Sequence, residues 1–404
     1  MAKKKVILAY SGGLDTSCCI KWLKDTCNLD VVCFSAFIGE ASDKAVLRKR
    51  AYSAGASKVY IEDLKKEFAD DFILPSLWAH ANYEGKYLLA TAIGRPLIAK
   101  HLVSIAHKEK AQFVAHGCTG KGNDQVRIEV GVRSLAPKLK IIAPLREWEF
   151  SSREEEIDYA KRNKIKIDVT KKSPYSIDRN IWGAAIEAGI LEDPWREPPE
   201  DAYYLTKGKV PTKSRYVEVT FIHGTPVALN GKKMNLVSLI EKLNKITGQY
   251  KIGRTDVIEN RLVGIKSREI YEAPAATVLM AAHAELESLV FDREFVHFKD
   301  VLSLKYSELI YYGLWYSPLK EALDSFFVKQ QHLVTGTVKV KLSEKCAQVV
   351  GRKSPYSLYR EKLATYSHDD QFNHEASKGF IELWGLPYVV ATQVGKKSMA
   401  RKKR

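Results

Sequence analysis

An apolar segment near the start of the chain leads into residues whose types and order suit phosphate binding. Val6-Ile7-Leu8-Ala9 has the character of a buried strand, and Tyr10 follows it. The next seven residues, Ser11-Gly12-Gly13-Leu14-Asp15-Thr16-Ser17, are the first motif. Two glycines after a strand allow positive φ and a close approach to a ligand, because no Cβ stands in the way. We expect the last three residues to cap the following helix, so that hydroxyls and the helix dipole face one anion.

The first motif differs from a Walker loop, because no Lys followed by Ser or Thr closes the turn. An ordinary strand-turn-helix corner with a hydroxyl cap is the simpler interpretation. The extra hydroxyls favour a phosphate site. The stretch resembles the signature of the ATP pyrophosphatase (PP-loop) families, which hold the β and γ phosphates of ATP while a nucleophile attacks the α phosphorus. The resemblance implies pyrophosphate as the leaving group.

A second polar stretch, the second motif (residues 116–127), follows another strand-like run. It reads His116-Gly117-Cys118-Thr119-Gly120-Lys121-Gly122-Asn123-Asp124-Gln125-Val126-Arg127. Such a sequence either stays solvated or closes on a polar ligand with amide and guanidinium donors. Gly120-Lys121 does not make it a Walker loop, because Gly122 occupies the hydroxyl position. We expect it to close on a ligand.

Composition places the chain among soluble globular proteins with more than one domain. Its 404 residues are long for one core, and no stretch approaches the roughly 20 apolar residues of a membrane helix. The start, Met1-Ala2-Lys3-Lys4-Lys5 before a short apolar run, does not suit a signal peptide. Six cysteines contain no C-x-x-C pair, which indicates reduced thiols in a cytosolic protein and no resident metal.

The net charge of +16 fits either nucleic-acid binding or a basic surface around a nucleotide-binding enzyme. Apart from the two termini the positive residues are scattered, which favours the enzyme. The basic ends, Lys3-Lys4-Lys5 and the stretch from Lys396 to Arg404, have the character of disordered tails.

The N-terminal part alternates short apolar runs with helical patterns. Beyond the first strand the runs are at 31–34, 58–61, 112–115 and 140–143, and helices are predicted near 14–25, 43–54, 63–74, 88–108 and 152–163. Short apolar strands suit a sheet covered on both faces. The fold class is therefore α/β with a doubly wound parallel sheet. Ligands of such sheets bind at the carboxyl ends of the strands, where the first motif, Ala36 and His116-Gly117 fall.

Proline-rich junctions from Ser173-Pro174 to Glu197-Pro198-Pro199 predict a second, mixed α+β domain. Strands at 217–221 and 226–229 flank His223-Gly224-Thr225 as a hairpin, and a second hairpin is expected at 335–350. Apolar spacing from Leu236 to Leu243 returns to a helical period, and helical patterns follow at 275–290 and 300–331. The predicted divisions are an ATP-binding domain at 1–168, a second domain at 169–365 and a C-terminal tail at 366–404.

Both motifs together, the second nearly residue for residue, resemble the argininosuccinate synthase family. The likeness covers about the first 390 residues. It continues in several separated stretches, too many for chance agreement. These are Tyr83-Glu84-Gly85-Lys86-Tyr87, Leu88 through Thr91 to Arg95-Pro96, Lys172-Ser173-Pro174-Tyr175-Ser176-Ile177-Asp178, Glu187-Ala188-Gly189-Ile190-Leu191-Glu192, Val257-Ile258-Glu259-Asn260-Arg261 and Gly264-Ile265-Lys266-Ser267-Arg268-Glu269-Ile270-Tyr271-Glu272.

The resemblance implies an ATP-dependent ligase that joins citrulline to aspartate through a citrullyl-adenylate, with magnesium on the phosphates. It also implies the ligand contacts. For ATP these are Ala9, Tyr10, Ser11, Gly12, Gly13, Leu14, Asp15, Thr16, Ser17, Ala36 and Gly117; for aspartate Thr119, Asn123 and Asp124; and for citrulline Tyr87, Asn123, Arg127, Ser176, Glu259 and Tyr271. Asp124 and Arg127 are the residues expected closest to the chemistry. The types fit, because α-carboxylates need cationic or amide donors and α-ammonium groups need carboxylates.

Several positions depart from the family pattern. Phe37 follows Ala36 where many members have Asp or Asn, and Glu40 stands where Gln is usual. Ala184-Ala185 replaces an expected Arg-Ser pair, whose Ser contacts citrulline, and Ala92 replaces a Ser found in part of the family. These changes bear on citrulline affinity more than on ATP binding. One lost hydrogen bond to a charged ligand costs about 1.5 to 3 kcal/mol, which weakens a site without abolishing it.

Two other functions fit part of the sequence. A tRNA-modifying PP-loop ATPase would share the first motif and suit the basic charge, but it would not need the second motif, Glu259 or Tyr271. A degenerate nucleotide-binding protein or an interaction protein, in either case without enzyme activity, would suit Ala184 and Ala185. The family resemblance favours an enzyme that acts on small molecules, binds no nucleic acid or membrane, works in the cytoplasm and forms a homotetramer.

Overall fold

The computed structural model describes residues 3–39, 43–150, 152–165 and 175–402. Glu40, the match at Lys172-Ser173-Pro174 and the predicted boundary at residue 168 lie outside the described residues. Contacts between Cα atoms divide the chain into two compact units, Met1–Tyr356 and Ser357–Arg404.

The first sheet is parallel throughout and has five strands in the order β3-β2-β1-β4-β5. Its strands are β1 (Lys5–Ala9), β2 (Asp30–Phe37), β3 (Lys58–Asp63), β4 (Phe113–His116) and β5 (Lys140–Ile142). Helices connect them. They are α1 (Leu14–Asp25), α2 (Lys44–Ala54), α3 (Lys65–Glu67), a π-helical turn at Phe68–Ile73, α4 (Leu74–Trp78), α5 (Ala90–Lys108), α6 (Asn123–Leu135), α7 (Pro144–Glu147) and α8 (Arg153–Arg162). The predicted α/β class and doubly wound sheet are confirmed.

Strand β1 shows why both faces of this sheet are covered. Val6 and Leu8 pack into one hydrophobic core with α1, whereas Ile7, which points to the opposite face, belongs to the larger core that includes α5. All three side chains are fully buried. An apolar residue at every position is what a strand between two helical layers requires.

Two antiparallel sheets follow. One has the order β10-β9-β8-β13-β14 and the other the order β11-β12-β7-β6. Their strands are β6 (Ser176–Arg179), β7 (Ala184–Glu187), β8 (Arg215–Ile222), β9 (Thr225–Leu229), β10 (Lys232–Lys233), β11 (Arg254–Asn260), β12 (Lys266–Glu272), β13 (Gly336–Ser343) and β14 (Cys346–Lys353). Both predicted hairpins, β8-β9 and β13-β14, are present. The four-stranded sheet was not predicted.

Six α-helices follow in the C-terminal part that the structure describes, and they differ from the expected pattern between residues 300 and 331. They are α9 (Leu236–Gly248), α10 (Pro274–Val290), α11 (Arg293–Tyr311), α12 (Pro318–Lys329), α13 (Glu361–Ala364) and α14 (His374–Lys402). The single helical pattern expected at 300–331 is two helices, since Gly313 takes a φ of +76° and Ser317 caps a new helix that begins at Pro318.

The expectation of a disordered basic C-terminus was wrong as far as Lys402, because α14 continues through it. Glycines and Pro387 lie within α14, so its sequence lacked the usual signs of a long helix. Within the described residues, no helix combines the length and apolar character needed to cross a membrane.

Candidate active site

Both motifs leave the parallel sheet from paired positions. Ala9 at the end of β1 is in register with His116 at the end of β4. After β1 the chain builds β2 and β3 on one side and then returns to place β4 on the other, so this pair marks the topological switch point. Gly117 lies against the first motif so closely that an added Cβ would be 2.8 Å from Thr16 Cγ2. The predicted convergence of the two loops at one sheet edge is therefore present.

Only one of the two glycines in the first motif has the positive φ that the sequence predicted. Gly12 has a φ of +81°, whereas Gly13 is extended with a φ of −77°. Gly13, and not the hydroxyl residues, is the cap of α1, and no side chain caps this helix. Thr16 and Ser17 lie inside the first turn, where the Thr16 hydroxyl bonds Ser11 Oγ at 3.0 Å and the Ser17 hydroxyl bonds Tyr10 at 3.1 Å. The capping prediction was thus wrong, because α1 begins at Leu14, which places the three expected capping residues inside its first turn and not before it.

A polar cavity of about 110 Å³ lies where the second motif meets the four-stranded sheet. It brings together residues far apart in the sequence. Its lining comprises Tyr87, Thr91, Thr119, Gly122, Asn123, Asp124, Arg127, Ser176, Asp178, Ala185, Glu187, Glu259, Arg261, Glu269 and Tyr271. All six residues expected to contact citrulline and all three expected to contact aspartate are among them.

Two stacked tyrosines form one wall of the cavity. The rings of Tyr87 and Tyr271 have centroids 3.9 Å apart. Tyr271 donates to Glu259 Oε2 at 2.7 Å, and the Tyr87 hydroxyl bonds Thr91 Oγ1 at 2.7 Å. Burial raises the pKa of Tyr87 to about 12, raises the pKa of Tyr271 well above its usual value, and raises the pKa of Glu259 as well. Both phenols therefore stay protonated and can act as donors.

Asn123 and Arg127 project from the first turns of α6 and are held by Tyr311. Asn123 donates to the Tyr311 hydroxyl at 2.7 Å, and its Oδ1 accepts from the Leu262 amide at 2.9 Å. Arg127 Nε donates to the Tyr311 carbonyl at 3.0 Å, and its guanidinium lies 4.8 Å from the centre of the Tyr311 ring. The side chains are buried and their orientation is fixed before a ligand arrives.

Charges converge on Asp124. Arg127 Nη1 donates to its Oδ1 at 3.0 Å, and Arg95 Nη2 donates to its Oδ2 at 2.7 Å and also to Asp178. Burial alone would raise the pKa of Asp124, but Arg95 and Arg127 hold it well below its usual value. Burial raises the pKa of Asp178 despite its contact with Arg95. Asp124 is thus a fixed anion between two cations.

A second charged group occupies the wall formed by the four-stranded sheet. Arg261 Nη2 donates to Glu187 Oε2 at 2.7 Å and also to Glu269. Burial and the neighbouring Glu187 raise the pKa of Glu269 to about 9, so we expect this carboxyl group to hold a proton at neutral pH. Arg261 also donates to the Lys121 carbonyl at 3.3 Å, which ties the second motif to this sheet.

Sequence reasoning did not select the charged residues in and beside the cavity that follow, although a signal was present. Arg95, Asp178, Glu187, Arg261 and Glu269 all lie in the stretches that resemble the family. Ionisable side chains in such stretches are candidates for a site even when no role is assigned to them.

The residues that depart from the family pattern lie in different parts of the structure. Ala185 lines the polar cavity, and Ala184 lines a separate space of about 20 Å³ beside Tyr87 and Tyr271. The Ala92 amide donates to the Tyr87 hydroxyl at 3.1 Å. Phe37 is not among the residues that line the polar cavity. The Lys44 ammonium lies 4.7 Å from the centre of the Phe37 ring.

Family models match most of the chain. The Arginosuccinate synthase N-terminal HUP domain matches residues 5–166, and the Arginosuccinate synthase C-terminal domain matches residues 175–391. The chain belongs to the argininosuccinate synthase family. Matches to both domains do not fit a tRNA-modifying ATPase that shares only the first motif.

Close relatives agree over nearly the full length. Argininosuccinate synthase from Dictyoglomus turgidum is 57% identical over 399 residues, which cover 98% of this chain and all of the relative. Those from Symbiobacterium thermophilum and Bacillus cereus are 56% and 55% identical over 98% and 99% of the chain and over 99% and 100% of their own lengths. Among solved structures, a 4-thiouridine synthetase in complex with RNA and ATP covers 40% of each chain at 18% identity with a TM-score of 0.29. A likeness this low indicates neither fold nor function.

Proposed function

We propose that the polar cavity holds citrulline and aspartate together, beside ATP bound at the first motif. As a member of the argininosuccinate synthase family, the protein condenses citrulline with aspartate at the expense of ATP, with release of AMP and pyrophosphate. The observation that carries the placement is the cavity lining, which contains every residue expected to contact either amino acid.

The cavity matches the zwitterionic ends of citrulline. The proposed ligands are the Arg127 guanidinium for the α-carboxylate and the Glu259 carboxylate for the α-ammonium group, with Tyr87, Asn123, Ser176 and Tyr271 around them. Charge-assisted hydrogen bonds of this kind are stronger than neutral ones. Because Arg127 and Glu259 are buried, their bonds to a ligand would be little weakened by water.

Aspartate is assigned to Thr119, Asn123 and Asp124 on the second motif. The lowered pKa of Asp124 makes it a reliable anion for an α-ammonium group and a weak proton acceptor. Its proposed role is therefore to orient the aspartate amine rather than to act as a strong general base. Arg95, which bonds Asp124, holds that carboxylate in place.

ATP is assigned to the residues from Ala9 to Ser17, with Ala36 and Gly117. Support comes from the switch point, where these residues lie at the carboxyl ends of β1, β2 and β4. Amides at the start of α1 provide donors for phosphate oxygens. Magnesium is expected on the phosphates; the Asp15 carboxylate and the hydroxyls of the first motif are oxygen donors of the type it prefers. Bound magnesium would offset the charge of the phosphates.

The proposed reaction has two displacements. The citrulline ureido oxygen attacks the α phosphorus, and the bond from phosphorus to pyrophosphate breaks. The aspartate amine then attacks the ureido carbon, whose bond to oxygen breaks, so AMP leaves with that oxygen. The protein supplies little covalent chemistry, and orientation with charge stabilisation accounts for the catalysis.

An isotope experiment tests both the activity and its route. Citrulline labelled with heavy oxygen in the ureido group is incubated with the protein, ATP and aspartate, and mass spectrometry follows the label. We expect it in AMP and not in pyrophosphate. Unlabelled AMP formed together with argininosuccinate would overturn the adenylate route, and failure to form argininosuccinate would overturn the function.

The assembly and cellular setting belong to the same proposal. We expect a cytoplasmic homotetramer with an ATP-binding domain at 1–168, a synthetase domain at 169–365 and a tail at 366–404 that supports oligomerisation. Exposed apolar side chains on α14, among them Ile381, Leu383 and Trp384, suit a helix that is covered in an oligomer. Light scattering coupled to size exclusion measures the state, and a monomer at working concentration would contradict it.

A further inference from the structure

Four side chains form a connected polar network behind the loop that joins β4 to α6. We call the set His116, Gln125, Glu129 and Arg146 the loop clamp, and residues 117–122 the connecting loop. His116 and Gln125 are buried, Glu129 is half-buried, and Arg146 reaches the network from α7, a separate element beyond β5. The connecting loop carries Gly117 and Thr119, which are assigned to ATP and aspartate.

One end of the clamp holds a loop amide. The Cys118 amide donates to His116 Nδ1 at 3.2 Å, so Nδ1 carries a lone pair and the proton of the neutral ring is on Nε2. Nε2 lies 3.1 Å from Glu129 Oε1 and donates to it. His116 and then Arg146 lower the pKa of Glu129, which stays ionised and fixes this tautomer.

The other end holds a loop carbonyl. Gln125 Nε2 donates to the Gly120 carbonyl at 2.6 Å. The orientation of this amide is set from its opposite side, where Arg146 Nη1 donates to Gln125 Oε1 at 2.8 Å. An amide turned the other way would bring two acceptors together at Gly120 and two donors together at Arg146.

Arg146 joins the two ends. Its Nη2 lies 2.6 Å from Glu129 Oε1, while Nη1 contacts Gln125. The fixed spacing of the guanidinium nitrogens therefore sets the distance between the His116 and Gln125 branches, as a lysine ammonium does not. We propose that Arg146 is a positioning residue that holds the connecting loop, through the Cys118 amide and the Gly120 carbonyl, in the conformation that receives ATP and aspartate.

The inference rests on the proposed function, since it concerns how that site is kept ready. Binding energy spent on ordering a loop is lost from ligand affinity, so a loop held in advance binds more tightly. Removing the clamp should act on ligands of the connecting loop. The citrulline contacts lie outside the connecting loop, five of them on helices or strands and Tyr87 in the segment between α4 and α5, so they should be affected less.

The chain provides a matched control. Arg133 also pairs with Glu129, with Nη2 3.7 Å from Oε2, but 70% of its side chain is exposed and it bonds neither Gln125 nor the connecting loop. Arg133→Met removes one cation from Glu129, as Arg146→Met does, and leaves the clamp connected.

The experiment compares kinetics and loop protection in the two variants. For Arg146→Met we expect the aspartate KM to rise about tenfold and the ATP KM to rise several-fold, with the citrulline KM within about twofold of the parent. Hydrogen exchange of the 117–122 amides should become faster while α5 keeps its protection. Arg133→Met should match the parent. Arg146→Lys should fall between, because it keeps the ion pair with Glu129 but loses the two-point contact.

A second variant separates positioning from a general loss of structure. Gln125→Glu keeps the acceptor for Arg146 but removes the donor to the Gly120 carbonyl, so it should show the same pattern of KM changes. Equal changes in all three KM values, or parent-like kinetics in Arg146→Met and Gln125→Glu, would overturn the inference. If the parent makes argininosuccinate and these variants have the KM values of the parent, the role of the clamp is refuted and the proposed function stands. If the parent makes no argininosuccinate, the proposed function itself is refuted.

Discussion

The Tyr271 hydroxyl donates to Glu259 Oε2 at 2.7 Å between neighbouring strands β12 and β11. Tyr271 also stacks on Tyr87, so one side chain fixes a carboxylate and closes a wall of the cavity. The two contacts are separable, because the stack needs only the ring and the hydrogen bond needs only the hydroxyl.

Replacing Tyr271 with Phe keeps the stack and removes the hydrogen bond from the Tyr271 hydroxyl to the Glu259 carboxylate. A hydrogen bond to a charged group is worth about 1.5 to 3 kcal/mol, so we expect the citrulline KM to rise about tenfold or more. The ATP KM should not change. Tyr306→Phe is the control, since Tyr306 donates to Asp324 at 2.6 Å away from the cavity residues. An unaltered citrulline KM in Tyr271→Phe would contradict the assignment of Glu259.

Arg127→Lys retains a positive charge but loses the guanidinium fork. The Tyr311 carbonyl and Asp124 accept from separate nitrogens of Arg127, at 3.0 Å each, and one ammonium cannot reproduce both bonds. We expect a raised citrulline KM with ATP binding nearly unchanged, measured by steady-state kinetics and calorimetric titration. Arg133→Lys on the exposed side of α6 should be neutral. An effect confined to ATP or aspartate saturation would show that Arg127 serves another ligand.

Gly13→Ala tests the phosphate site without strain in the free protein. An added Cβ would lie 3.5 Å from Ser11 Oγ, an ordinary contact, and the φ of Gly13 suits any residue. We therefore expect weaker ATP binding, because the Cβ obstructs a phosphate, with an unchanged melting temperature. Gly12→Ala differs, since a Cβ there would meet Leu47 Cδ1 at 2.2 Å at a φ of +81°, so it should lower the melting temperature. ATP affinity unchanged in Gly13→Ala would refute the placement.

The sequence was sufficient for the parallel sheet because its strands carry continuous apolar runs. It was not sufficient for the sheet β11-β12-β7-β6. In β11 the buried positions are Val257 and Glu259, and in β12 buried carboxylates at Glu269 and Glu272 interrupt the apolar pattern. Strands that place charged side chains in a cavity lose the alternation that predicts a strand. The buried charged residues that this sheet places in and near the cavity are therefore the reason that its strands could not be predicted from the sequence.

The site was predicted unevenly for a similar reason. Residues in the two motifs could be identified from their glycine and hydroxyl patterns. Glu259 and Tyr271 were selected through the family resemblance. Arg95, Arg261 and Glu269 act through bonds to other side chains from distant segments, which spacing along the chain does not reveal. Arg95 pairs with Asp124 and Asp178, and both pairings depend on tertiary structure.

The protonated carboxyl group of Glu269 predicts a pH dependence of stability. Burial and Glu187 raise its pKa to about 9, so the folded protein keeps a proton that the unfolded chain releases near pH 4.3. Between these values the folded state binds more protons, and the free energy of unfolding must fall as the pH rises. Glu269→Gln cannot titrate and keeps an acceptor for Arg261, which donates to this side chain.

Urea unfolding from about pH 5 to about pH 9 should therefore give a flatter profile for Glu269→Gln than for the parent. Glu285→Gln is the matched control, because the Glu285 carboxylate is partly exposed and pairs with Arg352 at 2.6 Å outside the cavity. Its profile should run parallel to that of the parent. Parallel profiles for all three proteins would mean that Glu269 is ionised in the folded state. The wall at Glu187, Arg261 and Glu269 would then carry a net negative charge instead of none.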